Sequence, residues 1–334
     1  MQTKFNAHEY LTYSLINNLF DYHPLNEERG RIPFIGKILS EIEEQILAKC
    51  NLKKQTNKFS LIYKPSFNTF FNQLTLTTVS ITILSEYSNI DDVANGGYNN
   101  RTITWVGQKI DNVDLFCNIK CPASRLSYNI QRTIGHELLH AYEAYKRNLL
   151  KKPFDAPKQS DFYQNVKILM DKGNPPQIVF AYLFYFNNPH ELRAHSQGIQ
   201  SGYNAIASNI SYNFHDLPFN MLKNKIQEYK DFKQMKENLA WVYENYSESD
   251  LIIAMNTILD KPINTINQLN KIVNYQLANI EQTYDKALSR AIEHAAINEL
   301  YKDYGPKSIA TTQLIRKTMN EIYREYGHPS NIKQ

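Results

Sequence analysis

Residues 74–84 read Leu-Thr-Leu-Thr-Thr-Val-Ser-Ile-Thr-Ile-Leu, a β-branched run in which apolar and polar side chains alternate. That period of two puts one face into a core and leaves the other polar, so the run predicts a half-buried β-strand. A lone strand leaves its backbone groups unpaired, so partners must lie nearby. Phe59–Tyr63, Thr102–Val106 and Val113–Ile119 are the candidates, which gives about four strands between residues 58 and 120, close enough for one sheet. Asn95-Gly96-Gly97 reads as a turn between them.

The rest of the chain has helical spacing. Segments 7–20 and 34–50 are amphipathic, and the second carries Ile35, Ile38, Leu39, Ile42, Ile46 and Leu47 after Pro33. A long helix is expected over 124–147, with Leu126, Ile130, Ile134, Leu138, Ala141 and Tyr145 as its buried stripe. Residues 151–176 read as loop around a short helix at 160–171, and helices follow at 177–186 and 189–203. Beyond residue 217 only helices are expected, at 219–246, 249–259, 263–303 and 308–326. Glycine numbers only 11 in 334 residues, about half the usual share of roughly 7%. None falls in 219–304, whereas Gly96, Gly97, Gly107, Gly135 and Gly198 do fall in the first two thirds. The expectation is an α+β protein in three parts: a helical N-terminal segment (1–57), a strand-containing domain (58–216) and an all-helical C-terminal domain (217–334).

Charge and cysteine narrow the function classes. A formal charge of +4 and scattered lysine doublets lack the basic run a nucleic-acid surface needs. Cys50, Cys117 and Cys121 are too few, and odd in number, for a disulfide framework; Cys117 and Cys121 are not in Cys-x-x-Cys spacing. The first twenty residues hold no apolar leader, and no run of 18 apolar residues exists. The expected location is therefore cytoplasmic or particle-associated, without nucleic-acid or membrane partners.

The chemistry is concentrated in His136-Glu137-Leu138-Leu139-His140, an H-E-x-x-H pattern. On a helix, positions four apart differ by about 40° and 6 Å, so both imidazoles leave one face and can converge on one ion. Glu137 points about 100° away, placed to take a proton from water at the metal. Leu138 turns into the apolar stripe. Random placement would give on the order of 0.01 such patterns in this chain. A catalytic zinc takes a third protein ligand. Glu143 and Lys146 stand where the metzincin extension has Gly and His, which excludes that class. The remaining route is a residue on a second helix, and Asn187-Asn188-Pro189-His190-Glu191 starts one. Small Ala194, three residues after Glu191, permits close helix contact.

His136-Glu137-x-x-His140 followed by Asn188-Pro189-x-Glu191-x-x-Ala194 resembles the zincin metallopeptidases, and within them is similar to the gluzincins. The resemblance covers about residues 95–200. It implies a zincin-like core, a small mixed sheet with an active-site helix. It further implies Zn2+ held by His136, His140 and Glu191, with Glu137 as general base in peptide-bond hydrolysis. His190 and His195 flank Glu191 and are the alternative third ligands; His195 and Tyr203 are candidates for stabilising the oxyanion. The resemblance also implies a substrate-pairing edge strand just before the motif helix, either Thr102–Val106 or Val113–Ile119. The expected partner is a peptide or protein substrate. The long helical remainder carries no catalytic signature, and equally fits a structural or assembly protein, such as a virion component, that keeps this fold with little or no turnover.

Overall fold

The computed structural model describes residues 32, 34–87, 92–99, 105–106, 109–149, 157–209 and 234–283. The helices expected at 7–20 and 308–326 lie outside the described residues. The chain is α+β. In order, α1 (Ile35–Lys49) precedes β1 (Thr56–Tyr63), β2 (Phe71–Leu84), β3 (Val93–Asn99), β4 (Trp105–Val106) and β5 (Lys109–Pro122). A single 3-10 turn leads into α2 (Leu126–Leu149), then α3 (Pro157–Lys172), α4 (Pro175–Phe186) and α5 (Pro189–Asn209). Three helical stretches follow: α6 (234–245), α7 (Glu248–Asn256) and α8 (266–283). No helix among the described residues is long and apolar enough to cross a membrane.

The strands form one mixed sheet in the order β1-β2-β5-β3, with β4 also paired to β5. β2 and β5 run parallel, and the other pairs are antiparallel. The alternation read in 74–84 is realised in β2, where Leu74, Leu76, Val79 and Ile81 are fully buried. Their parallel neighbours in β5, Val113, Leu115, Cys117, Ile119 and Cys121, join the same core. α1 and α2 supply Ile38, Ile42, Ile46, Ile130, Ile134 and Leu138 to it. Each such aliphatic side chain contributes about 1.5–3 kcal/mol on burial.

Two expectations change here. Asn95-Gly96-Gly97 is not a turn but the middle of β3, paired in register with Asn118, Cys117 and Phe116. The glycines answer to space rather than to turning. A Cβ on Gly96 would stand 2.8 Å from Thr133 Cγ2 and 2.9 Å from Glu137 Cγ; one on Gly97 would enter the Phe116 ring. Glycine inside a strand often marks such close approach. Secondly, Val113–Ile119 is interior, hydrogen-bonded to β2 on one side and β3 on the other, so it offers no free edge. β3 pairs only with β5 among the described residues.

Chain contacts divide the described residues into two units: 32–149 with 194–209, and 157–193 with 234–283. The dividing point falls inside α5, between Arg193 and Ala194. The second unit has its own apolar core, including Phe180, Leu183, Val242, Leu251, Met255, Leu269 and Ile280. α3 is longer than the sequence suggests and starts at Pro157. α4 starts at Pro175 rather than 177, since Asn174 and Gln177 make a reciprocal capping box and proline fits the first helical positions.

Candidate metal centre

α2 carries two faces. Ile130, Ile134, Leu138 and Ala141 are at most 1% exposed and belong to the core under the sheet. His136 and His140 sit on a neighbouring, half-buried face. Their Nε2 atoms are 3.2 Å apart, with ring centroids at 4.9 Å. Two nitrogens at about 2.05 Å from a tetrahedral zinc would lie about 3.3 Å apart, so the pair already has ligand spacing. The same spacing suits an N–H···N hydrogen bond between the rings; a nearby carboxylate is what would make them a candidate ligand set.

That carboxylate comes from α5. Asn188 caps this helix, its Oδ1 accepting from His190 N at 2.9 Å, and Pro189 occupies the first turn. Asn187 fixes the approach: its Nδ2 donates to Leu183 O (3.1 Å) and Gln276 O (3.0 Å), and its Oδ1 accepts from Asn279 Nδ2 at 2.7 Å. Glu191 therefore falls one turn after a fully used amide. It is 7% exposed. His136, His140 and Glu191 each offer one ligand atom, and these lie within 4.8 Å of one another.

Small residues set the distance between α2 and α5. A Cβ on Gly198 would meet Arg132 O at 2.8 Å and His136 Cβ at 3.3 Å; on Gly202, the Tyr128 ring at 2.7 Å; on Gly135, Ser201 Oγ at 2.6 Å. As α5 advances from 198 to 202 its neighbours on α2 retreat from 132 and 136 to 128 and 132, so the helices are antiparallel. Ala194, Gly198 and Gly202 recur every four residues and form one stripe. That spacing is present in the sequence.

The remaining candidates separate clearly. His195, one turn after Glu191, packs edge-to-face on His136 with centroids 4.6 Å apart and an interplanar angle of 66°. It is a neighbour of the ligand pair rather than a member of the close set. The His190 ring nitrogen Nδ1 instead meets Arg193 Nη2 at 2.8 Å, at an exposed position. Tyr203 is fully buried against Tyr128, 5.8 Å between centroids. It lies eight residues beyond His195, about 12 Å along the helix. The structure does not gather Tyr203 with His136, His140 and Glu191.

Glu137 is 7% exposed, and its Cγ and Oε1 lie against Gly96 of β3. By composition Gly96 reads as part of a turn, because its neighbours Thr133 and Glu137 are about forty residues away in the chain. Tyr98 stands two residues further along β3; its hydroxyl is buried without a hydrogen-bond partner among the described residues, and burial pushes its pKa well up. The three thiols are free; burial pushes Cys117 and Cys121 up to about 12.

No known protein family, no curated protein and no solved structure matches the chain.

Proposed function

We propose that the protein is a zinc-dependent endopeptidase built on a zincin-like core, in which His136, His140 and Glu191 hold the metal. The observation that carries this reading is the convergence of two imidazole nitrogens, 3.2 Å apart, with one buried carboxylate inside 4.8 Å. Two histidines and a carboxylate form a ligand set that leaves a fourth position open. Zinc, when bound, supplies a Lewis acid that polarises a peptide carbonyl and acidifies water.

The chain's own residues do the rest. Glu137 follows His136 directly, about 100° round the helix, where its carboxylate would serve as the base for water at the metal. It accepts the proton of the attacking water and returns it to the leaving amine nitrogen. The carbonyl carbon gains an oxygen, the C–N bond breaks, and the released amine carries the second proton away. His195, packed on His136, is the nearest further group to a developing oxyanion. An extended peptide is held by backbone pairing along β3, whose outer edge has no partner among the described residues.

The test is Glu137→Gln. The variant should keep its metal and lose hydrolysis by about 10²–10⁴-fold, the range for a general acid–base group. Cleavage at the wild-type rate would refute the mechanism.

A further inference from the structure

We propose that Gly96 is the positioning residue for Glu137: the missing side chain in the middle of β3 is the seat that holds the carboxylate at its working angle. This rests on the reading of Glu137 as general base and goes one step beyond it.

The space is specific. An ideal Cβ on Gly96 would lie 2.8 Å from Thr133 Cγ2, 2.9 Å from Glu137 Cγ and 3.1 Å from Glu137 Oε1. Ordinary carbon contacts are about 3.5–4.0 Å, so one methyl asks for roughly 0.5–1 Å of movement. Backbone freedom does not explain the glycine. Gly96 lies in regular strand pairing with Cys117 and has no left-handed φ, so any residue could adopt its conformation. Only the proximity of α2 forbids a side chain.

β3 has little room to retreat. The residue just before it, Asp92, is tied to the 3-10 turn and the first turn of α2: Arg125 pairs with Asp92 at 2.8 Å, and Asn129 Nδ2 donates to Asp92 Oδ2 at 3.3 Å. Asp92 therefore matches 125–129 while Gly96 matches 133–137, so strand and helix run side by side in the same direction. On the opposite face the Phe116 ring covers Gly97. The hydrogen-bonded ladder with β5 spans Val93 to Asn99. With the strand held at its start, along its length and over its outer face, an added methyl displaces the side chains of Glu137 and Thr133. Thr133 is β-branched and stiff. The Glu137 carboxylate, two torsions further out, takes the larger swing. A displacement of about 1 Å at a catalytic group costs on the order of 10²-fold in rate.

Three variants separate this from simple packing. Gly96→Ala should fold, hold zinc at the wild-type ratio, keep KM, and lose about 10- to 100-fold in kcat. Adding Thr133→Ser removes the Cγ2 clash, and should return part of the thermal stability but not kcat. Wild-type kcat in Gly96→Ala, or full recovery of kcat with Thr133→Ser, would overturn the inference. The third measurement needs no activity. The drop in Tm caused by Gly96→Ala should shrink in a Glu137→Ala background, because the Glu137 share of the clash is gone; strictly additive Tm changes would overturn the seat. A wild-type chain that hydrolyses no peptide would sink the functional reading and the catalytic half of this inference with it. The stability cycle would still decide the contact.

Discussion

Replacing Gly198 by alanine tests the close helix pair that builds the centre. Alanine is the better helix former by about 1 kcal/mol, so local propensity alone would make this change stabilising. The structure reverses the sign. The new methyl would lie 2.8 Å from the Arg132 carbonyl oxygen and 3.3 Å from His136 Cβ. The first of these is backbone within α2 and cannot turn aside, so α5 must back away by about half an ångström or more. Overpacking of this kind costs about 1–3 kcal/mol. Gly36, in the first turn of α1, is the internal control, since a Cβ there meets nothing within 4 Å. Both substitutions gain helix propensity, so comparing them cancels much of it and leaves the overpacking. At about 2–4 °C per kcal/mol for a unit of this size, Gly198→Ala should melt roughly 2–12 °C below Gly36→Ala. The metal should also loosen, by the 10–100-fold typical of losing a supporting contact, because the added methyl presses on the His136 Cβ itself. Thermal melts with and without a chelator, followed by competition with a chromophoric zinc chelator, read both effects. A Gly198→Ala protein as stable as Gly36→Ala, with unchanged zinc affinity, would refute the packing argument.

Two further outcomes follow from individual side chains. Glu191→Gln should weaken zinc at least tenfold, while His190→Ala leaves it unchanged, because His190 is engaged by Arg193; competition titration checks both. Stability should fall as pH rises above about 9. The thiols of Cys117 and Cys121 ionise near 9.0 when unfolded but only at about 12 when buried. Below 9 both states keep the proton and the contribution is whole; above it the unfolded chain gives up protons the folded chain retains, by about 1.4 kcal/mol per thiol per pH unit. Denaturant midpoints measured from pH 8 to 11 should drop less steeply in Cys117→Ala.

Elements that depend on local pattern were legible before folding. The alternation in 74–84 became β2, the isoleucine spacing after residue 35 became α1, and the H-E-x-x-H helix faced as its arithmetic required. Close approach between distant segments was what the sequence hid. Asn95-Gly96-Gly97 has turn composition, but its glycines answer to Glu137, Thr133 and Phe116, none of which is a neighbour in the chain. A glycine chosen for a left-handed φ and one chosen for absent volume look alike in sequence, and only the packing partner tells them apart. Tyr203 shows a related limit of residue type. Residue type suggested an oxyanion donor, whereas twelve residues of helix after Glu191 put it beside Tyr128. Ala194, Gly198 and Gly202 held the clearest unused signal, a run of small residues at one-turn spacing that marks where a second helix comes close.

The metal content of the purified chain tests the central claim most directly. Elemental analysis of wild type and His136→Ala, prepared side by side, should give one zinc per wild-type chain and essentially none in the variant. A wild-type protein without stoichiometric metal, or a His136→Ala protein that keeps it, would contradict the assignment of His136, His140 and Glu191 as a zinc centre.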